Sequence, residues 1–406
     1  MIESKTSTAA ILEQMSDLNK RRRKFMLHLF GLFLAMPQRI NFSRMHRYGQ
    51  YTERMYHYHF AQPFDFESFN SKLIHSTCSG YYVLGFDPSY IPKSGKHTYG
   101  KGKYWSGCAQ AAKHGLEIGN FSVIDMVNQT AFHLKSVQTP STSEREVNGD
   151  DSLVVHYSKT VISQKAILAQ FSPYLAVDSY FVKEKFIVPI LEQTSLHIIS
   201  RLRSDANLKY LYYGPQSTGR GARRKYTTKV NLKNVDFKYF KLTYEDEGIK
   251  IYDAIVFCVF LKRNIRVAYT QFIKDGKISS TKLYFSTDLD LPAIFIAKYY
   301  IARFHQEFTF RDGKQHTGLT HAQTKSKQKL DMHFNTSLTT VNIAKADALN
   351  KYNQGDKLTP FSFSMAEAKR LAYNELYTDA FISIFQIDPN LNNNKLKIQQ
   401  LGTRKK

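Results

Sequence analysis

Cysteine is scarce in this chain and forms no pattern. The 406 residues hold three, Cys78, Cys108 and Cys258, an odd and widely spaced set without a CxxC pair. That excludes a disulfide framework and a zinc ribbon and fits a reducing compartment, so a cytoplasmic location is expected. Long hydrophobic runs are also missing. The longest, residues 25–36, contains His28 and is too short to span a bilayer, so no membrane partner is expected and the run reads as a buried helix. The opening Met-Ile-Glu-Ser-Lys lacks the character of a signal peptide. Acid is in short supply: 34 Asp and Glu face 57 Lys and Arg, a net charge of +23. Such an excess is silent about fold, but it points to a polyanionic partner, of which nucleic acid is the commonest. What is present is apolar material for a core, with 42% hydrophobic and 14% aromatic residues, which excludes wholesale disorder.

The texture changes along the chain, and five segments are expected. Segment 1–75 reads as helical. Residues 1–20 suggest a loose helix, and the basic run Lys20-Arg21-Arg22-Arg23-Lys24 precedes the apolar helix. Ser43 and Thr52 are candidate N-caps of two short helices joined at Gly49, a pattern that looks like a helix-turn-helix reader of DNA. Segment 76–206 reads as the first part of an α/β core with mixed strand pairing. Its strands are Tyr81–Phe86, Leu116–Val127, Tyr174–Val177 and Leu196–Ile199, with helices over Val161–Phe171 and Phe181–Leu191 and a loop over 136–152. Segment 207–290 is β-rich, with alternating runs at Tyr226–Leu232, Phe237–Tyr244, Ile251–Val259 and Ile265–Phe272. Helical texture returns from Pro292 in segment 291–330, and segment 331–406 reads as a helical region with a basic, frayed tail from Asn390.

Three features carry candidate chemistry. Asp87 and Asp178 each follow a short apolar strand, where an acid is held on a rigid element yet meets solvent; taken singly, either fits an ordinary turn aspartate. In the third, a continuous helix from Tyr300 to Lys314 places Tyr300, Arg303, Glu307 and Lys314 within about 60° of one face, an acid among two cations and a phenol. That face suits a divalent metal on Glu307 and phosphate oxygens on Arg303 and Lys314, and it equally suits a solvated amphipathic surface. Lys93 and Lys96, in a Gly- and Lys-rich stretch after Asp87, and Arg220, Arg223, Arg224 and Lys225, in a Gly-flanked loop, are candidate phosphate contacts.

The spacing Tyr300-x2-Arg303-x3-Glu307-x6-Lys314 resembles the YREK signature of bacterial DDE transposases of the insertion sequence 4 family; four fixed residues recur by chance at about one start in 10⁵. The segments from Asp87 to His97 and from Tyr174 to Phe181 are similar to those around the family's two aspartates, and the resemblance covers roughly residues 20–325. It implies an RNase H-like mixed-sheet core interrupted by an inserted β-rich domain, with Asp87, Asp178 and Glu307 as catalytic acids and ligands of Mg²⁺, for which Mn²⁺ substitutes. It further implies binding to the terminal inverted repeats of an insertion sequence, joining of cut 3′ ends to target DNA, and a homodimer on duplex DNA. Two departures stand out. Pro88 follows the first aspartate where the family has a polar residue, and the single tryptophan, Trp105, lies outside the insertion. The alternative is a non-catalytic sequence-specific DNA-binding protein, or an inactive transposase relic.

Overall fold

The computed structural model describes residues 3–95, 97–150, 152–216, 218–232, 234–355 and 359–386. The chain opens with five helices, α1 (Glu3–Glu13), α2 (Lys20–Ala35), α3 (Phe42–Tyr48), α4 (Glu53–Phe60) and α5 (Phe66–Thr77). Four strands follow, β1 (Tyr82–Pro92), β2 (Gly102–Ser106), β3 (Ala111–Asp125) and β4 (Thr130–Gln138). Next come α6 (Thr142–Val147), α7 (Leu153–Ser163), α8 (Lys165–Leu168), β5 (Tyr174–Val177), α9 (Glu184–Gln193) and β6 (His197–Arg201). Strands β7 (Leu208–Leu211), β8 (Tyr226–Lys229), β9 (Lys241–Glu245), β10 (Ile249–Cys258), β11 (Arg263–Lys274) and β12 (Lys277–Ser286) lead to α10 (Ala293–Ala302), α11 (His305–Gln315), α12 (Lys327–Gln354) and α13 (Met365–Ile384). The protein is therefore mixed α/β. Among the described residues no helix is long and apolar enough to cross a membrane.

Two compact units form. One comprises Met1–Gly80, Pro88–Thr142 and Glu307–Lys406; the other comprises Tyr81–Asp87 and Ser143–Gln306.

The first unit is organised around α12, on which α2, α5 and β4 pack. Its buried surface is unusually polar, with Asn335, Thr336, Ser337, Thr339, Thr340 and Asn342 all shielded from solvent. Although the Thr336 hydroxyl has no partner among the described residues, such groups are mostly hydrogen-bonded when buried. The asparagines achieve this by splicing into neighbouring backbone. Asn342 accepts from the His133 N–H at 2.8 Å and donates to the His133 carbonyl at 2.6 Å, and Asn335 accepts from the Ser136 N–H at 2.8 Å. Asn70 of α5 completes the ladder, donating to the Leu134 carbonyl and the Thr339 hydroxyl, each at 3.0 Å. Apolar contacts flank it, with Ile91, Leu116, Phe310, Leu330, Phe334 and Leu338 in one cluster. Strands β2, β3 and β4 pair antiparallel in sequence order.

The basic run at 20–24 lies inside α2, capped by Asn19, rather than ahead of it. Arg22 points inward, donating to the carbonyls of His59 at 2.9 Å and Gln62 at 3.1 Å, so it serves packing rather than a partner. The helix after residue 40 is capped by Asn41, whose side chain accepts from the Arg44 N–H, and not by Ser43; Thr52 does cap α4. Between them Gly49 is required sterically: a Cβ there would stand 2.1 Å from the Tyr56 hydroxyl and 2.8 Å from the His28 ring.

The second unit holds a mixed sheet. Strands β1, β5 and β6 are parallel, with Phe86 beside Val177 and Ala176 beside Ile199. The order continues antiparallel through β12, β11, β10, β7 and β8, with β9 on β10. Phe86, Tyr157, Phe181 and Phe186 form an aromatic core beneath the parallel strands. The expected runs of 207–290 overlap β8, β9, β10 and β11, while β7 and β12 lie outside them. In the segments before them, three expectations change. The helix expected over 161–171 begins earlier, at Leu153, because Ser152 caps it, and breaks at Gln164. Residues 136–152 are not all loop, for they contain the end of β4 and α6. The helix expected from Phe181 starts at Glu184, after a single 3₁₀ turn. Lys96 and the tail Asn390–Lys406 lie outside the described residues.

Candidate active site

Asp87 and Asp178 become neighbours through strand register. Strands β1 and β5 run parallel with Leu84 beside Leu175 and Phe86 beside Val177, so the next residue on each is an aspartate. Both are half-buried. The sequence places Asp87 at a strand end; instead β1 continues through Asp87 and Pro88 to Pro92. Pro88 offers no N–H to a ladder, which is compatible with a strand whose pairing to β5 stops at Phe86. Asp178 does end its strand, and a 3₁₀ turn over Ser179–Phe181 follows it.

The expected continuous helix from Tyr300 to Lys314 does not form. It breaks after Ala302, where the Phe304 N–H reaches the Ile301 carbonyl at 3.1 Å and the Gln306 N–H reaches the Arg303 carbonyl at 3.0 Å. Bonds spanning three residues instead of four tighten the winding, so the shared face computed at helical spacing does not carry across the break. Gly313 lies inside α11.

What the break leaves is a local cluster on Asp178. The Tyr300 hydroxyl donates to its Oδ1 at 3.4 Å, and an Arg303 Nη2 lies 3.9 Å from the same oxygen. The Arg303 side chain is 11% exposed and that of Asp178 39%, so the pair faces solvent from one side only. Tyr300 also stacks on Tyr284, with centroids 4.8 Å apart, and Arg303 lies over the Tyr300 ring. Burial raises the Tyr300 phenol above its ordinary range; Arg303 opposes this, Asp178 adds to it and Arg201 opposes it. The phenol is therefore a protonated donor at neutral pH.

Arg201 is a member of this neighbourhood that sequence reasoning missed. It ends β6 opposite Tyr284, and its charge reaches both Tyr284 and Tyr300. With Arg203 and Lys282 it lines a cleft of about 580 Å³. The available signal was its position closing an apolar strand next to the Asp178 strand.

The other candidates lie on α11, in the stretch after β1 and in the loop between β7 and β8. Glu307 is exposed in the first turn of α11, where the helix dipole favours an acid, and Lys314 occupies the last turn of that helix, where it favours a cation. Seven residues apart, the two share a face of α11 by helical spacing. Lys93 donates to the Ala322 carbonyl at 2.5 Å. Arg220, Arg223, Arg224 and Lys225 are all exposed in the loop between β7 and β8, and Arg224 lies over the Tyr212 ring at 4.7 Å.

In donor chemistry, Asp87 and Asp178 suit a hard divalent cation, being half-buried carboxylates that each follow the last paired residue of adjacent parallel strands. Among the described residues no group of three or more His, Cys, Asp or Glu is gathered for a metal ion. No protein-family model matches the chain, and no curated protein matches it.

Proposed function

We propose that the protein is a DDE transposase: a metal-dependent DNA nuclease and strand-transferase that binds the ends of an insertion sequence and joins their 3′ ends to target DNA. The observation that carries this reading is the register that aligns Phe86 with Val177, the residues just before Asp87 and Asp178, with the Tyr300 phenol and the Arg303 guanidinium on the second acid. We read the parallel strands β1, β5 and β6 as an RNase H-like core, and β7–β12, entering the chain between β6 and α10, as its inserted β-rich domain.

In this reading Asp87 and Asp178 would hold Mg²⁺ or Mn²⁺, and Glu307 is the third acid that the resemblance implies, although no group of three acids is gathered among the described residues. A divalent ion bound there would supply charge neutralisation at phosphorus and activation of the attacking oxygen. The protein's own groups do the rest. The Tyr300 hydroxyl donates and Arg303 presents a fork of donors, matching two oxygens of a phosphodiester held over the acids. The stacking of Tyr300 on Tyr284 and of Arg303 over the Tyr300 ring fixes that geometry before substrate arrives, which lowers the cost of positioning. Duplex DNA is the partner, engaged by a homodimer through the protein's positive charge.

The test is Glu307→Gln in a Mg²⁺-dependent nicking assay beside a gel-shift assay. The variant keeps side-chain shape and loses the charge. Cleavage should fall by about 10² or more while end binding stays within about twofold. Nicking above about a tenth of the wild-type rate refutes the assignment, and absence of nicking by the wild type favours the non-catalytic DNA-binding alternative.

A further inference from the structure

The first unit contains a cleft of about 610 Å³ that plays no part in the carboxylate chemistry. Its lining includes Arg39, Tyr90, Lys93, His114, Thr320 and His321, and no carboxylate among the described residues. Residues from three distant stretches of chain, Arg39, Lys93 and His321, supply the hydrogen-bond donors, so they are gathered by folding. Two of these groups are held by the fold. Lys93 is anchored by one N–H on the Ala322 carbonyl at 2.5 Å, leaving two of its three donors. The Ile40 N–H donates to His321 Nδ1 at 3.1 Å, so the neutral ring carries its proton on Nε2 as a donor. Burial and then Arg39 lower the Lys93 ammonium, and burial followed by Arg39, Lys369 and Arg44 lowers His321. Every charge felt by these two groups is positive. Cations gathered in a partly desolvated cleft with no acid repel one another, and an anion relieves that repulsion.

We infer that this cleft is a phosphate subsite in which Arg39, Lys93 and His321 hold one backbone phosphate of bound duplex DNA. A phosphodiester offers acceptor oxygens to three convergent donors, and the cleft is wide enough to admit a group attached at two ends. The assignment of the phosphate to DNA rests on the function proposed above; the cationic lining does not.

The experiment uses the full chain and a labelled duplex, with affinity followed by fluorescence anisotropy from about 50 to 200 mM salt. Arg39→Gln is the primary variant, because Arg39 is exposed and its replacement leaves packing alone. Lys93→Met with His321→Gln is the second. Arg39→Gln should lower the slope of log K against log salt by about 0.9, the value of one phosphate contact, and weaken binding about tenfold at the low-salt end. A wild type that shows no salt-dependent DNA binding takes down the DNA reading and the backbone assignment together. A wild type that binds DNA, with slope and affinity unchanged in both variants, refutes the subsite alone. Inorganic phosphate is titrated in parallel by ³¹P line broadening. Broadening that Arg39→Gln abolishes, with the DNA slope unchanged, overturns the backbone source in favour of a small free phosphate.

Discussion

Replacing the buried Lys345 by Met should change how stability depends on pH, and the size of the change follows from the surroundings. Lys345 sits on α12, 2% exposed, donating to the Ala131 carbonyl at 2.8 Å and to the Thr309 hydroxyl at 3.2 Å. Burial pushes its ammonium from 10.5 down to about 8; Asp312 opposes the shift, Arg311 adds to it and Cys78 opposes it. The sign follows from proton counting. Between pH 8 and 10.5 the unfolded lysine holds a proton that the folded one has released, so stability rises with pH across this window. Below pH 8 both forms are charged and the folded state carries the full desolvation cost. At about 1.4 kcal/mol per pH unit, that gap corresponds to about 3 kcal/mol. Met has similar length and does not titrate. The Ala131 carbonyl keeps a donor in the variant, because the Thr309 hydroxyl also reaches it at 3.3 Å. The assay is urea unfolding of both proteins at pH 7 and 10.5. Wild type minus variant should shift by about 3 kcal/mol in favour of wild type at the higher pH. Other groups titrating in the window, such as Lys369, cancel in the difference. A difference that stays constant within about 0.5 kcal/mol refutes the argument that Lys345 is held against its ordinary protonation.

Two further outcomes are expected. Asn342→Leu removes partners from the N–H and carbonyl of His133 and from Asn70, so thermal unfolding should show a loss of at least about 2 kcal/mol; a change below about 0.5 kcal/mol means the asparagine ladder does not hold α12 to β4. Replacing Arg220, Arg223, Arg224 and Lys225 together with Ala should flatten the salt dependence of DNA binding, by up to about 0.9 in slope per charge in contact, with little change in unfolding midpoint; unchanged affinity with a sharply lower midpoint makes the loop structural.

Where local pattern and tertiary demand agree, the elements were legible. The apolar run Tyr174–Val177 is β5, the alternating runs after 207 are strands, and Pro292 opens α10. The basic excess and the absence of a cysteine framework also belong to the sequence. Polar asparagines and threonines concealed that α12 is a core helix, since their burial depends on backbone partners brought from β4. Arg22 counts as surface charge in the sequence and as an internal staple in the fold.

The site divides in the same way. Sequence alone singled out Asp87, Asp178, Tyr300, Arg303 and Glu307, because their types and spacing are read directly along the chain. Only tertiary structure decided that β1 and β5 align Phe86 with Val177, that Tyr300 and Arg303 turn onto Asp178, and that the helix breaks between α10 and α11. Periodicity assumes one uninterrupted winding, and nothing in Ala302-Arg303-Phe304 marks its end: no glycine or proline is there. Strand register and the gathering of Arg39, Lys93 and His321 in one cleft are long-range outcomes, set by which surfaces bury together rather than by any local preference.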